Sequence, residues 1–180
     1  AHSNLGIILK DIGNLQEAEI SLRKAIQLNP NFAEAYSNLG IILKGLGNLK
    51  EAELSYRKAI EIKPNYAEAH SNLGNILQDL GKLEEAELSS RKAIELRSDI
   101  AEVHFNLGNI LRDLGKSQEA ELSYRKAIEL RSDIAEAHFN LGNLLKDLGK
   151  SQEAELLYRK AIELKPDIAE ANSKSFNGVL

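Results

Sequence analysis

Three kinds of residue in this 180-residue chain have chemistry to offer: four histidines, a recurring pair of glutamates and a row of asparagines. His2, His70, His104 and His138 carry imidazole nitrogens that suit a metal ion. A shared zinc needs its ligands within about 2 Å. Here the last three histidines are spaced 34 residues apart. If each sits on its own helix, packed helices lie roughly 10 Å apart. A packing role is therefore expected, with no metal site. The sequence Glu-Ala-Glu recurs at 17–19, 51–53, 85–87, 119–121 and 153–155. A catalytic carboxylate pair is expected once, in a cleft, so five copies read as a solvated ridge. The asparagines form two sets. Asn4, Asn38, Asn72, Asn106 and Asn140 stand two residues before a glycine, and Asn75, Asn109 and Asn143 directly follow one. In the first two copies Ile7 and Ile41 take that second place. A carboxamide both donates and accepts hydrogen bonds, so it pairs with peptide backbone whatever the side chains are.

The spacing of these residues defines the elements that must position them. Aligned on Leu-Gly, the chain divides into repeats at 1–32, 33–66, 67–100, 101–134 and 135–168, with a partial sixth from 169. A fixed period of this length marks a repeat architecture. In "AEAYSNLGIILKGLG" (33–47) apolar residues fall three and four apart, the pattern of an amphipathic helix. Gly13, Gly47, Gly81, Gly115 and Gly149 follow the first helix of each repeat, where a left-handed turn ends it. A second helix then carries Ala52, Tyr56, Ala59 and Ile60 on one face and Glu53, Arg57 and Glu61 on the exposed one. "NFAE" at 31–34 and "DIAE" at 133–136 have the form of capping boxes. Gly6, Gly40, Gly74, Gly108 and Gly142, with Ala18, Ala52, Ala86, Ala120 and Ala154, are small where the two helices of a hairpin must approach.

Leu39, Gly40, Ala52, Tyr56, Ala59 and Pro64, recurring at one period, resemble the tetratricopeptide repeat (TPR) pattern over almost the whole chain. The resemblance implies an all-α, right-handed solenoid of antiparallel helix hairpins, forming a single array from 1 to 180. Neighbouring hairpins cover each other's apolar faces. It also implies that first helices line a concave groove, so the asparagines face that groove. The bases Lys44, Arg112 and Lys146 face it too, and an aspartate follows Arg112 and Lys146. The "NLGN" rows are similar to the TPR segment of O-linked N-acetylglucosamine transferases, where concave asparagines hold substrate polypeptide. An asparagine ladder for ligand and a structural role between repeats both fit this placement. A chaperone-tail clamp does not, because Ser3, Ser37, Ser71, Phe105 and Phe139 occupy the place of its lysine.

Magnitudes bear on the ladder. Five hydrogen bonds at about 0.5–1.5 kcal/mol each supply roughly 5 kcal/mol, whereas micromolar binding needs about 8 kcal/mol. Side-chain anchors are then required. Phe105 and Phe139 are the candidates on the groove wall, and packing against the adjacent helix is their alternative role.

Composition narrows the classes further. Net charge is −4, so broad attraction to nucleic acid is not expected. No apolar run is long enough for a membrane span, and no segment has signal-peptide form. The chain has no cysteine, which excludes disulfides and thiolate chemistry. Together these point to a cytoplasmic protein. No phosphate loop, nucleophile elbow or His-Glu zinc motif occurs, so neither an enzyme nor a cofactor is expected. With no methionine, the chain reads as processed or cut from a longer one. The end "AEANSKSFNGVL" (169–180) replaces Leu-Gly by Ser175-Phe176 and reads as a capping helix or a junction. An uncapped first hairpin allows head-to-tail self-association. The expected function is a scaffold that holds an extended protein or peptide segment in the groove. The alternatives are the arm of a larger transferase and a self-assembling array.

Overall fold

The computed structural model describes residues 2–168, which form ten α-helices and no strand. They are α1 (His2–Asp11), α2 (Leu15–Leu28), α3 (Ala33–Gly45), α4 (Leu49–Ile62), α5 (Ala67–Asp79), α6 (Leu83–Leu96), α7 (Ala101–Asp113), α8 (Ser117–Leu130), α9 (Ala135–Asp147) and α10 (Ser151–Leu164). Each repeat contributes one antiparallel hairpin, as its two apolar stripes require. The chain divides into two compact units. Ala1–Ser98 holds the hairpins α1–α2, α3–α4 and α5–α6, and Asp99–Leu180 holds α7–α8 and α9–α10. The capping helix expected over 169–180 lies outside the described residues. Among those described, no helix is long and apolar enough to cross a membrane.

Each hairpin turn has one physical cause. Gly47 adopts a φ of 81°, a region closed to most L-residues. This lets its N–H reach Lys44 O at 2.9 Å and the Asn48 N–H reach Leu43 O at 2.8 Å. The two bonds form a Schellman motif. The same pair of bonds recurs at Gly13, Gly81, Gly115 and Gly149.

The helices of a hairpin then close over glycine and alanine. A Cβ placed on Gly40 would stand 2.7 Å from the Tyr56 ring, and one on Gly142 would stand 2.8 Å from the Tyr158 ring. Ala18, Ala52, Ala86 and Ala120 are fully buried. Tyr56, Tyr124 and Tyr158 fill the centre of their hairpins.

Two expectations need correction. The capping boxes do not form: the N-caps of α3 and α9 are Phe32 and Ile134, and neither makes a side-chain cap bond. Glu34 bonds instead to Lys63 at 2.8 Å, and Glu136 to Lys165 at 2.7 Å. Those lysines, and the residues' own backbone N–H groups, hold both carboxyls below their ordinary range. A cation brought close by folding outcompetes a neutral N–H for a carboxylate.

The second glutamate of the Glu-Ala-Glu at 51–53 is also not on a solvated ridge. Glu53 is 7% exposed and sits between Arg57 and Lys82, at 2.9 and 2.8 Å. Burial pushes its carboxyl up, but the bonds from Lys82 and Arg57 outweigh it and hold the group below its ordinary range. Arg57 reaches on to Glu85 at 2.5 Å. Arg23 joins Glu19 and Glu51 in the same way, and Arg125 joins Glu121 and Glu153. This ladder links each of these hairpins to the next within its unit.

Candidate functional site

In the second unit the asparagines of α7 and α9 are oriented by tyrosines of α8 and α10. Tyr124 Oη donates to Asn109 Oδ1 at 2.8 Å, and Tyr158 Oη donates to Asn143 Oδ1 at 2.8 Å. Burial raises both phenols, Tyr124 to about 12. They therefore remain protonated donors across the physiological range. Asn140 Nδ2 also donates to Asn109 Oδ1, at 2.8 Å. Both lone pairs of the Asn109 carbonyl are thus taken, which leaves its amino group as the available donor. Asn106, Asn109, Asn140 and Asn143 are all half-buried. Such an amino group, with its oxygen fixed, suits the carbonyl of an extended backbone.

The phenylalanines lie behind this row. The Phe105 ring packs on Tyr124 with centroids 6.1 Å apart, and the Phe139 ring packs on Tyr158 at 5.8 Å. Phe139 is only 7% exposed. Phe105 packs against a cluster of Ala101, Ile134 and Ala137. Both rings make packing contacts, and Phe105 is only half-buried. They hold the tyrosines that hold the asparagines.

In the first unit Asn4 is exposed, and Asn38, Asn72 and Asn75 are half-buried on α3 and α5. Ile41 stands where α7 and α9 carry Asn109 and Asn143, and offers no amide to a phenol. Two of the bases expected on this face are paired with aspartates. Lys44 pairs with Asp79 at 3.0 Å and Arg112 with Asp113 at 2.9 Å. Lys146 is engaged as well.

Two of the four histidines do structural work. His70 Nε2–H donates to Pro64 O at 2.9 Å, and His138 Nε2–H donates to Ser132 O at 2.8 Å. Each ties a helix to the loop six residues before it. Among the described residues no group of three or more His, Cys, Asp or Glu side chains is placed to hold a metal ion. A depression lined by Arg23, Tyr36, Glu51 and Leu54 contains none of the asparagines.

The tyrosine partners were missed in the sequence. Their signal is a pairing at a fixed separation of 15 residues, Asn109 with Tyr124 and Asn143 with Tyr158. Elsewhere the pair is broken, as Ile7 with Leu22, Ile41 with Tyr56 and Asn75 with Ser90.

Comparison with known proteins agrees with this architecture. A family model described as TPR repeat matches residues 6–47, 42–81 and 108–149. Models described as tetratricopeptide repeat match 135–168 and 67–100. No curated protein sequence matches the chain. Among solved structures, MamA is 24% identical, with a TM-score of 0.82 over 92% of this chain and 96% of its own. YrrB, described as a TPR protein with an unusual peptide-binding site, is 25% identical, with a TM-score of 0.78 over 96% of this chain and 90% of its own. TTC0263, a thermophilic TPR protein of Thermus thermophilus, is 24% identical, with a TM-score of 0.74 over 98% of this chain and 96% of its own.

Proposed function

Because the chain belongs to the tetratricopeptide repeat family, we propose that it is a non-catalytic protein-interaction scaffold whose first helices hold an extended polypeptide by its backbone. One observation supports this reading: tyrosine hydroxyls donate to the oxygens of Asn109 and Asn143, which leaves their amino groups as donors. An amide locked in this way gives up little rotamer freedom on binding. The likeness to YrrB, whose description includes a peptide-binding site, supports the same reading. Asn38, Asn72 and Asn75 are the corresponding groups of the first unit, and Asn106 and Asn140 complete those of the second.

The test is Tyr124→Phe with Tyr158→Phe. Both rings stay and only the hydroxyls leave. Each lost bond is worth about 0.5–1.5 kcal/mol, so affinity for unrelated peptides on an array falls roughly tenfold, by a similar factor across sequences. Circular dichroism checks that the fold is intact. Unchanged binding by a folded double variant defeats the reading.

A further inference from the structure

One hairpin departs from the pattern of its neighbours. In α7–α8 a ring pair surrounds the point of closest approach: Phe105, Gly108, Asn109 and Tyr124. The α9–α10 hairpin repeats this as Phe139, Gly142, Asn143 and Tyr158. In α5–α6 the same four places hold Ser71, Gly74, Asn75 and Ser90. Both rings are replaced by hydroxymethyl groups. The α3–α4 hairpin keeps Tyr56 and the α1–α2 hairpin keeps Leu22. Among the described hairpins, α5–α6 alone has a small residue at this central place of its second helix.

A second observation concerns the Ser90 hydroxyl. Ser90 is 1% exposed, and its oxygen has no hydrogen-bond partner within the protein. Two other buried helical serines, Ser55 and Ser123, are satisfied by the carbonyl four residues back. Ser55 Oγ donates to Glu51 O at 2.9 Å, and Ser123 Oγ to Glu119 O at 2.9 Å. Ser90 instead turns its oxygen onto Gly74, where a Cβ would overlap it. Buried polar groups left in this state call for a partner. Ser71 and Asn75, half-exposed and four residues apart on α5, flank Gly74 on the same helix.

We infer that the α5–α6 hairpin takes up an aromatic side chain of the bound polypeptide, tyrosine before phenylalanine. The ring passes Ser71 and Asn75 and lies over Gly74, in the place that Tyr124 fills from within its own hairpin. Its phenol then meets the Ser90 hydroxyl. The inference rests on the polypeptide-binding reading above and adds a side-chain preference to contacts that otherwise ignore sequence. A buried aromatic anchor typically costs at least 2 kcal/mol when removed, so it supplies selection that the asparagines lack.

The experiment separates the two readings. The full chain is titrated with p-cresol, the side chain of tyrosine, and with toluene, while amide resonances and melting temperature are followed. Wild type is expected to show p-cresol shifts at Ser71, Gly74, Asn75 and Ser90, with a weaker response to toluene. Ser90→Tyr fills the place from within and abolishes the response, and Ser90→Leu, which copies Leu22, does the same if the tyrosine variant folds poorly. In parallel, peptides differing only in Tyr or Ala are compared. The tyrosine peptide should bind wild type about 30-fold more tightly, and the two should bind Ser90→Tyr equally. No p-cresol shift at these residues, with equal binding of both peptides, overturns the inference: the hydroxyl then holds a buried water, and the asparagine reading stands. A p-cresol response in a wild type that binds neither peptide also overturns it, together with the polypeptide reading, and leaves a site for a free aromatic molecule.

Discussion

Three glycines inside helices make a graded test of the packing, because one substitution, glycine to alanine, meets a different neighbour at each. A helix interior, as at Gly74 and Gly108, favours alanine by about 0.8–1.0 kcal/mol. At Gly45, the last residue of α3, the new methyl meets only the end of the Leu15 side chain at 3.0 Å, which swings aside. Gly45→Ala should therefore stabilise the chain by part of that amount. At Gly74 the neighbour is the Ser90 hydroxyl, a single atom on a rotatable bond, with Ala86 O at 3.3 Å behind it. Clash and propensity should nearly cancel there. At Gly108 the methyl lands 2.6 Å from two carbons of the Tyr124 ring. That ring is fully buried, packed by Phe105 and held at its hydroxyl by Asn109, so it cannot turn away. Overpacking of this kind costs about 1–3 kcal/mol. After the propensity gain, the net loss for Gly108→Ala is zero to about 2 kcal/mol. For a chain of this length each kcal/mol moves the melting point by about 2–4 °C. Thermal and urea unfolding followed by circular dichroism should rank the variants 45, 74, 108 from most to least stable. Equal stability of Gly45→Ala and Gly108→Ala would refute the claim that the rigid ring sets the approach distance.

Further outcomes follow from the same contacts. Tyr124→Phe alone should cost about 1 kcal/mol of stability, read as a urea midpoint shift, because the Asn109 oxygen loses one donor and keeps Asn140. Glu34, Glu53, Glu121 and Glu136 all have carboxyls held below their ordinary range. A depressed carboxylate stabilises fully above its unfolded pKa and loses that contribution as pH falls through the folded value. The melting temperature should thus stay level from neutral pH down to the ordinary carboxylate range and drop below it. Glu53→Gln should flatten part of that drop, at a cost up to about 1 kcal/mol at neutral pH, since its partners Arg57 and Lys82 are solvated. Chelators should leave the melting curve unchanged, because the Nε2 atoms of His70 and His138 are committed to backbone carbonyls; a metal-dependent shift would overturn that assignment.

The sequence made the hairpins readable because their determinants are local. A glycine at positive φ and a run of apolar residues at helical spacing need no knowledge of distant contacts. What escaped was decided by residues far apart in the chain. Glu34 lies three residues from Asn31, the mark of a capping box, yet its partner is Lys63, 29 residues away. Glu53 looked solvated because its burial depends on Lys82, from the next hairpin. Phe105 stands where three copies carry serine, which left both an anchor role and a packing role open. Its ring supports Tyr124, and that tyrosine fixes an asparagine on the other helix. The asparagine row itself was legible, but not which atom of each amide it presents.

The arginine ladder has a consequence for how such a chain changes length. Arg23 reaches Glu51, Arg57 reaches Glu85 and Arg125 reaches Glu153, each across 28 residues. Every rung refers only to the hairpin after it, so the pattern is invariant to translation by one period. Duplicating residues 101–134 would present Arg125 with a glutamate at the same offset and leave each old rung a partner. The near identity of 101–134 and 135–168 fits a history of such copying. Inserting one residue fewer or more would rotate the following helices by about 100° and break each rung it crosses. Growth by whole periods is therefore nearly free of electrostatic cost, and growth by any other step is not.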